Sequence, residues 1–336
     1  MYEFLKGVGF LVLAAVFAAS AAAEEPVKLT IGWAVAPAQL TPILFDHPGL
    51  AKHLGKSYTL EPERFVGSSV ALQALATGEL NVGPMTFNVL GPAVLPSGAG
   101  LTDLRIIADE LRDGVGDYES NHYMVRNDGP IHRVEDLKGK VVAVNGIGGG
   151  QDIFMRVMLK RHGLVYPGDY TIVEAQFPTM KGLLADNKAD LIIGVKPFTE
   201  DPALKAIGHD LFTQRDAVGP SDFLFLTARA GFIAQHRAAL VDFFEDDIRA
   251  TRWFMNPANH DEAVAIAAKF IKMPPERLSW AFTKSDFYRD PNLRPDLAGI
   301  QKNVDMLQDF GFIKAHVDVK AHSDLSLITE AAKRIQ

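Results

Sequence analysis

The chain has 336 residues, of which 48% are hydrophobic and 22% are charged. This composition is typical of a globular protein and excludes a disordered or fibrous chain, and the length predicts about two domains. The 41 acidic residues outnumber the 34 basic ones, and the net charge of −7 gives no basic footprint for nucleic acid. Because the chain has no cysteine, disulfides, iron–sulfur clusters, thiolate metal sites, cysteine nucleophiles and lipid attachment at an N-terminal cysteine are excluded.

The first 23 residues have the pattern of a cleaved secretory signal. Lys6 supplies a positive charge, residues 8–19 are an apolar run, and Ser20 to Ala23 form a small-residue cleavage site. The alternative, an N-terminal membrane anchor, is disfavoured because spanning a bilayer core takes about 20 apolar residues. We therefore expect cleavage near Ala23 and a soluble, periplasmic protein.

Beyond the signal, strand and helix patterns alternate. Apolar or alternating runs predict strands over residues 27–32, 58–65, 80–83, 104–109, 122–126, 141–144, 170–175 and 190–195. Helical patterns lie over residues 70–77, 152–162 and 179–186, and then dominate the last third, over residues 235–254, 261–270 and 297–310. Strands separated by helices indicate parallel pairing and an α/β fold.

One internal similarity suggests two related halves. Residues 67–80 and 176–189 both read as a polar turn, a helix, a helix stop and a short strand. Gly78 aligns with Asn187, and glycine and asparagine are the residues that best tolerate a left-handed backbone at such a stop. The similarity predicts two similar lobes that face each other. The alternative is a chance likeness between two ordinary βαβ units.

Two stretches carry a resemblance to a known family. They are VGSSVALQALATGELNVG at residues 66–83 and VEDLKGKVVAV at residues 134–144, the second followed by a glycine-rich turn. Their order and spacing resemble the type 2 periplasmic substrate-binding proteins of ABC importers, and most closely the group that binds sulfonates, taurine, nitrate and thiamine precursors. The resemblance covers nearly the whole chain after the signal.

The resemblance implies an α/β fold of two lobes, each with a mixed, mostly parallel sheet flanked by helices. Two hinge crossings, expected near residues 120–123 and 220–223, would join a lobe of residues 24–120 plus 223–336 to a lobe of residues 121–222. The ligand would lie in the cleft between them. A membrane permease is the implied partner, and a monomer is the usual form of the family.

The candidate ligand-binding residues follow from where such a cleft lies. Ligands of open α/β sheets sit beyond the carboxyl ends of the strands, where helix N-termini offer free N–H groups to an anion. The polar and glycine candidates at these places are Gln39, Thr41, Gly67, Ser68, Ser69, Thr86, Asn88, Gly148, Gly149, Gln151 and Thr179. The alternatives are helix capping for the serines and Thr179, a plain tight turn for the glycines, and solvated loop polarity for Thr86 and Asn88.

Aromatic and charged residues add further candidates. Phe87, Phe177 and Phe198 lie near predicted strand ends and would form walls for an organic ligand, although most aromatic residues simply belong to a core. His122 is a candidate hydrogen-bond donor at a crossing, with a structural histidine as the alternative. Lys196 and Arg112 are candidate cations for an anion, with solvated charges as the alternative.

Signals for an enzyme are poor. Residues 146–151 lack the last glycine of a dinucleotide loop, no G-x-S-x-G elbow occurs, and no two histidines have H-x-x-x-H spacing. The acidic run from Glu245 to Asp247 is interpreted as a solvated helix face. The thiamine-pyrimidine synthases related to the family carry a cysteine-rich iron site, which this chain cannot supply. We expect no catalytic residue, metal site or cofactor.

The sequence thus predicts an exported solute-binding protein that captures a small organic anion and delivers it to a permease. An aromatic carboxylate or a sulfonate is favoured by the phenylalanines near the cleft. Two alternatives stay open: a ligand-sensing periplasmic component that feeds a membrane receptor, and an exported enzyme.

Overall fold

The computed structural model describes residues 25–335, so the predicted signal lies outside the described residues. Strands and helices alternate up to residue 229, and helices follow. Within the described range, no helix has both the length and the apolar character needed to cross a membrane.

Two five-stranded sheets form the framework of the molecule. The first has the spatial order β2 (Tyr58–Arg64), β1 (Val27–Trp33), β3 (Val82–Met85), β10 (Ser221–Arg229) and β4 (Leu104–Asp113). The second has the order β7 (Thr171–Glu174), β6 (Val141–Val144), β8 (Leu191–Gly194), β5 (His122–Arg126) and β9 (Gly208–Thr213). In each sheet the second strand is parallel to both neighbours and the fourth is antiparallel to both. The mixed α/β fold is therefore confirmed, and the two sheets share one topology.

Helices cover both sheets, and we call each sheet with its helices a lobe. The first lobe carries α1 (Ser68–Thr77), α2 (Phe87–Val94), α7 (Ala230–Gln235), α8 (Arg237–Phe254), α9 (His260–Ile271), α10 (Leu297–Asp309) and α11 (Ser326–Arg334). The second carries α3 (Gly150–Arg161), α4 (Phe177–Ala185), α5 (Pro202–Ile207) and α6 (Gln214–Val218). Some helices pack directly on a sheet, as α1 does on β3 and α4 on β8, and others pack on neighbouring helices, as α11 does on α8 and α6 on α3.

The internal similarity is confirmed as a repeat of structure. Helix α1 lies between β2 and β3, and α4 holds the equivalent place between β7 and β8. Gly78 after α1 has φ 82°, and Asn187 after α4 has φ 58°, so both stops are left-handed. The two positions end their helices by the same backbone turn, which asparagine tolerates better than most residues with a Cβ.

Several predicted bounds were wrong. Strand β4 extends to Asp113 rather than ending at residue 109, and the helix predicted over residues 235–254 begins at Arg237, after the separate helix α7. The sequence patterns also missed α2, α5, α6, α7, α11, β9 and most of β10. Strand β10 is buried along nearly all of its length, so its polarity does not alternate and the period-2 signal is lost.

The chain passes between the lobes twice, over residues 114–121 and 214–220. The buried carboxylate of Asp113 accepts hydrogen bonds from Ser120 Oγ at 2.6 Å and from the Asn121 N–H at 2.8 Å. The Ser120 Oγ in turn accepts from the Arg215 N–H at 2.9 Å, and Asn121 Nδ2 donates to Gln214 Oε1 at 3.0 Å. The two passages are thus hydrogen-bonded to each other as a pair. The division of the chain at residues 120/121 and 222/223 stays a prediction.

Aromatic rings connect the lobes beside these passages. Phe87 of α2 stacks on Phe154 of α3 with ring centroids 4.5 Å apart, and Phe154 meets the edge of Phe223 in β10 at 6.1 Å. Phe87 and Phe154 have no exposed surface. The two lobes therefore share one apolar core at this place.

The acidic run on α8 is not a solvated face, and that expectation was wrong. Asp246 is fully buried. Three hydrogen bonds compensate the burial of its carboxylate, which accepts from the Lys52 and His53 N–H groups and from Tyr58 Oη, all within 2.9 Å. Asp247 is also buried, and its carboxylate accepts only from Thr251 Oγ1, at 3.2 Å, among the described residues. Asp246 therefore anchors α8 to residues 52–58 of the first lobe, whereas Asp247 is buried with a partner only in its own helix.

We predict that Phe154→Ala destabilises the folded chain by roughly 3–5 kcal/mol, because it leaves a cavity in the shared core. Phe270→Ala is the matched control, since Phe270 is 36% exposed and should cost about 1 kcal/mol or less. Urea unfolding followed by circular dichroism measures both. Equal losses in the two variants would contradict a shared core.

Asp247 should make stability depend on pH. Burial raises the pKa of Asp247 to about 7, although the hydrogen bond from Thr251 opposes this rise. The folded chain therefore keeps this proton up to a higher pH than the unfolded chain does. Between pH 4 and 7 the unfolded chain has already lost the proton, and each rise in pH then favours unfolding. We predict that, between pH 4 and pH 8, the free energy of unfolding of Asp247→Asn rises by up to roughly 4 kcal/mol relative to that of the unmodified chain, since each pKa unit is worth about 1.4 kcal/mol. Thermal unfolding at the two pH values measures this, and a difference that does not change with pH would refute it.

Candidate functional site

A cavity of about 670 Å³, counting its space open to solvent, lies between the two lobes. Both lobes contribute to its wall, which is mostly apolar. The apolar lining residues are Ala34, Val35, Ala38, Phe65, Val66, Pro84, Leu111, Phe177, Val195, Phe223, Leu224 and Phe287. Such a wall suits the carbon skeleton of a small organic molecule.

Three helix N-termini meet at this cavity. Helix α1 begins after Gly67 and α2 after Thr86 in the first lobe, and α3 begins after Gly149 in the second. All three preceding residues line the cavity, and none of them caps its helix with a side-chain hydrogen bond. The first N–H groups of a helix have no acceptor within the helix and carry its positive dipole end, so together they favour an anion.

The glycine-rich turn before α3 allows the close approach of the lobes. Gly148 has φ 80°, in the left-handed region that favours glycine. A Cβ on Gly150 would lie 2.9 Å from Thr86 Cγ2, which is closer than carbon atoms pack. The turn is therefore more than a plain tight turn, because a side chain at Gly150 would push the lobes apart at the cavity.

Polar side chains with unused hydrogen-bonding atoms line the same space. Thr86 is 2% exposed, and its Oγ1 has no hydrogen-bond partner in the described chain. Asn145 Oδ1 also has no hydrogen-bond partner among the described residues, whereas Asn145 Nδ2 donates across the cleft to the Val66 carbonyl at 3.2 Å. Ser68 and Gln151 also line the cavity. A buried hydroxyl without a partner is unfavourable, so a bound ligand that supplies one is favoured.

The cationic candidates are both neutralised within the protein. Lys196 lines the cavity, but its Nζ lies 2.9 Å from Glu119 and 3.4 Å from Glu200, and 4.9 Å from the centre of the Trp280 ring. It also donates to the Ser285 carbonyl. Lys196 is thus buried and paired rather than solvated, and it ties the second lobe to a segment of the first.

Arg112 does not line the cavity. Its guanidinium lies 3.1 Å from Asp109 and 3.6 Å from Asp222, both of which are buried. Burial and mutual repulsion raise the pKa of Asp109, and burial raises that of Asp222, while Arg112 opposes both shifts. Arg112 is therefore a structural counter-ion, not a solvated charge.

Seven of the predicted site residues line the cavity: Gln39, Gly67, Ser68, Thr86, Gly149, Gln151 and Phe177. One of these is already used by the protein. Gln39 Oε1 accepts from the Ala34 and Val35 N–H groups, and its Nε2 donates to Glu110 at 3.0 Å. Gln39 therefore shapes the cavity wall rather than offering a free amide. Burial raises the pKa of Glu110 to about 7, although the bonds from Gln39 and Thr41 oppose this.

The other predicted site residues do not line the cavity: Thr41, Ser69, Phe87, Asn88, His122, Gly148, Thr179 and Phe198. Thr41 donates to Glu110, and Phe87 belongs to the shared core. Asn88 Nδ2 donates to the Gly148 carbonyl at 3.0 Å, which fixes the glycine-rich turn across the lobes. Ser69 lines a neighbouring groove.

Three of these residues have contacts that explain their position. His122 lies 2.6 Å from Glu119 and 2.8 Å from Asp210; burial opposes its charge, but these hydrogen bonds outweigh burial and raise the pKa of His122 to about 9. Thr179 is exposed and donates to the Gln176 carbonyl. Phe198 stacks behind Phe177 with ring centroids 6.3 Å apart, so it supports a cavity wall without lining it.

Several residues that line the cavity were not predicted from the sequence. Asn145 directly follows β6, so the rule that ligands lie beyond the carboxyl ends of strands predicts it as a site residue. Asn121 precedes β5, where that rule does not apply. Phe287 comes from an irregular segment between α9 and α10, where no pattern in the sequence indicates a place in the cleft.

One group away from the cavity has the composition of a metal site. Ligand atoms of His53, Asp242 and Glu245 lie within 4.8 Å of one another. Arg334 lies 2.8 Å from Asp242, and Arg249 pairs with Glu245, so arginines already compensate both carboxylates. This group is best explained as an ion-pair network.

Comparison with solved structures supports the fold. The nitrate-binding protein NrtA from Synechocystis PCC 6803 aligns with a TM-score of 0.70 at 16% identity, covering 93% of this chain and 90% of that one. The alkanesulfonate-binding protein SsuA from Xanthomonas axonopodis pv. citri, bound to MOPS, aligns with a TM-score of 0.69 at 15% identity, covering 90% and 99%. The desulfurization enzyme DSZB aligns with a TM-score of 0.63 at 12% identity, covering 92% and 100%.

Sequence comparison identifies the family. No curated protein matches the chain. Residues 22–268 match the model of the NMT1-like family, which is well over half of the chain. With the two-lobed α/β fold and the structural neighbours described above, the chain belongs to the NMT1-like family and has the fold of the type 2 periplasmic substrate-binding proteins.

Proposed function

We propose that this chain is the exported solute-binding component of an ABC importer. It binds a small organic anion in the cavity between its lobes and delivers that ligand to a membrane permease. Residues 1–23 act as the signal that sends it to the periplasm. The single observation that carries the proposal is the convergence of three uncapped helix N-termini on one largely apolar cavity.

The donors at the cavity favour an anion with several acceptor oxygens. The N–H groups at the starts of α1 and α3 approach from opposite lobes, and Thr86 adds a buried hydroxyl that has no partner among residues 25–335. A carboxylate or sulfonate can accept from both lobes at once, which links binding to the closed arrangement. Because Lys196 is already paired, the recognition of charge rests on these dipoles and hydroxyls.

The apolar wall favours an organic ligand over a bare inorganic anion. Phe65, Phe177, Phe223 and Phe287 all line the cavity and would have nothing to contact around nitrate. Both kinds of ligand occur among proteins of this fold, since NrtA is a nitrate-binding protein and the SsuA structure holds MOPS, a bulky sulfonate. The wall of this cavity is suited to an aromatic carboxylate or a bulky sulfonate.

The enzyme DSZB shares the fold, so catalysis is the second candidate. Among the described residues, the cavity is lined by no Asp, Glu or His, and the chain contains no Cys. Ser68 and Thr86 are the hydroxyl groups among the described lining residues, and the one basic group there that could activate them is the paired Lys196. These contacts favour binding without turnover.

Isothermal titration calorimetry tests the function directly. We predict that the mature chain binds benzoate, phthalate, benzenesulfonate or MOPS with a dissociation constant in the micromolar range or below, and binds nitrate more weakly. Product analysis after prolonged incubation should return the ligand unchanged. A failure of every organic anion to bind, or chemical conversion of a bound one, would overturn the proposal.

Thr86 and Ser68 supply the sharper test of the site. Thr86→Val keeps the shape of the side chain but removes the hydroxyl, and Ser68→Ala does the same at the start of α1. We predict that each weakens binding of the best anion by about 1 kcal/mol, the net contribution of one hydrogen bond. Thr179→Val is the matched control, because Thr179 is exposed and lies outside the cavity. Calorimetric affinities that are unchanged in both cavity variants would remove these hydroxyls from the site.

A further inference from the structure

Two charged residues at the ligand cavity and at the groove beside α1 are already engaged within the protein. Among the described residues, Lys196 is the one charged residue that lines the cavity, and it pairs with Glu119 and Glu200. Glu174 lines the groove, and its carboxylate accepts from the Ile147 N–H at 2.6 Å. Neither residue offers a free positive charge to an anion that approaches the cleft.

A third space beside the cavity does contain such a charge. We call it the rim pocket; it has a volume of about 500 Å³, counting space open to solvent, and both lobes border it. Arg64 is the last residue of β2 and the one charged residue among the described residues that line this pocket. The rim pocket and the cavity are neighbours, since both are lined by Ala34, Val35, Phe65, Val66, Asn145 and Phe177. Arg64 therefore lies on the first lobe at the edge of the cleft.

The Arg64 side chain is exposed, and its charge is not neutralised. Its Nε donates to the Ala34 carbonyl at 3.3 Å, and its guanidinium carbon lies 5.8 Å from the centre of the Trp33 ring. Within residues 25–335, no carboxylate lies within 4 Å of the guanidinium nitrogens. The neighbouring Glu63 points to the opposite face of the strand, because side chains alternate along a strand. Arg64 is thus held beside the cleft by contacts that leave its positive charge available.

A single charge at this place matters because the chain as a whole is acidic. The net charge of −7 opposes the approach of an anion from a distance. At physiological ionic strength, however, a charge acts over only about 8 Å, so the charges nearest the cleft determine the last part of the approach. A charge at the rim of a binding site changes the association rate and its salt dependence more than it changes dissociation.

We propose that Arg64 is a steering residue of the anion site. It attracts an anionic ligand to the edge of the cleft while the lobes are apart and so speeds association, and the helix N-termini then hold the ligand. No open tunnel from Arg64 to the cavity is required, because the charge acts through its field. The inference rests on the proposed function, and it adds how the ligand reaches the site.

Stopped-flow tryptophan fluorescence tests the inference with the tightest binder among benzoate, phthalate, benzenesulfonate and MOPS. In Arg64→Gln, we expect the association rate constant to fall about two- to threefold per ligand charge at an ionic strength of about 0.01 M, and to match the unmodified chain at about 1 M. The dissociation rate constant should not change. Calorimetry at the two ionic strengths should give the same fold change in affinity. Arg64→Glu should lower the association rate further.

Two further variants serve as controls. Arg64→Lys keeps the charge and should keep the association rate, which separates the charge from the contact with Trp33. Arg294→Gln is the matched control, because Arg294 is also exposed and lines neither the cavity nor the rim pocket. It should leave both rate constants unchanged.

The possible failures are distinguishable. An association rate in Arg64→Gln that equals that of the unmodified chain at low ionic strength would overturn the inference. Faster dissociation that persists at high ionic strength would overturn it too, because Arg64 would then hold the ligand rather than steer it. Both results leave the proposed function standing. Failure of every organic anion to bind the unmodified chain would overturn the proposed function and the inference with it.

Discussion

Donor groups without an acceptor inside an apolar cavity are the constraint on which the rest of the structure depends. Helices α1 and α3 each begin at this cavity with N–H groups that have no acceptor within the helix, and Thr86 adds a buried hydroxyl without a partner in the part of the chain that the structure describes. Most buried polar groups in folded proteins are paired with protein, water or a ligand, so unpaired donors that converge on one cavity favour a ligand there. Because the donors come from both lobes, the missing acceptor must lie between the lobes, which is where a ligand fits.

The donors from the two lobes face one cavity only while the lobes are in contact at its edge. Asn88 donates to the Gly148 carbonyl and Asn145 to the Val66 carbonyl, so each lobe holds a backbone segment of the other at the cavity edge. Gly150 permits this approach, since a side chain there would meet Thr86. Opening the lobes would break these bonds and separate the donors. The contacts that hold the two lobes together at the cavity edge therefore also determine the positions of the donors that an anion would contact.

The fold class, the internal repeat and several cavity residues could be predicted from the sequence, because each depends on residues that are close together along the chain. The strand patterns gave the α/β class, and the match of Gly78 with Asn187 gave the repeat, because left-handed helix stops restrict residue type. Glycines and hydroxyls before helices gave Gly67, Ser68, Thr86 and Gly149. The buried acids of α8 could not be predicted, because the partners of Asp246 lie almost 200 residues away along the chain. For the same reason nothing local shows that Gln39 is bound to Glu110 or that Phe287 reaches the cavity.

Lys196 illustrates why residue type alone misleads about an anion site. A lysine at the end of a strand beside a cleft is an obvious partner for a carboxylate, yet Glu119 and Glu200 already take its charge. Removing that pairing to bind a ligand would give up two ion pairs of a buried ammonium, which is costly. The ammonium instead connects the second lobe to Trp280 and Ser285 of the first. The charge therefore holds the wall of the cavity together, and selection among ligands is left to the directed N–H groups and to the shape of the apolar surface.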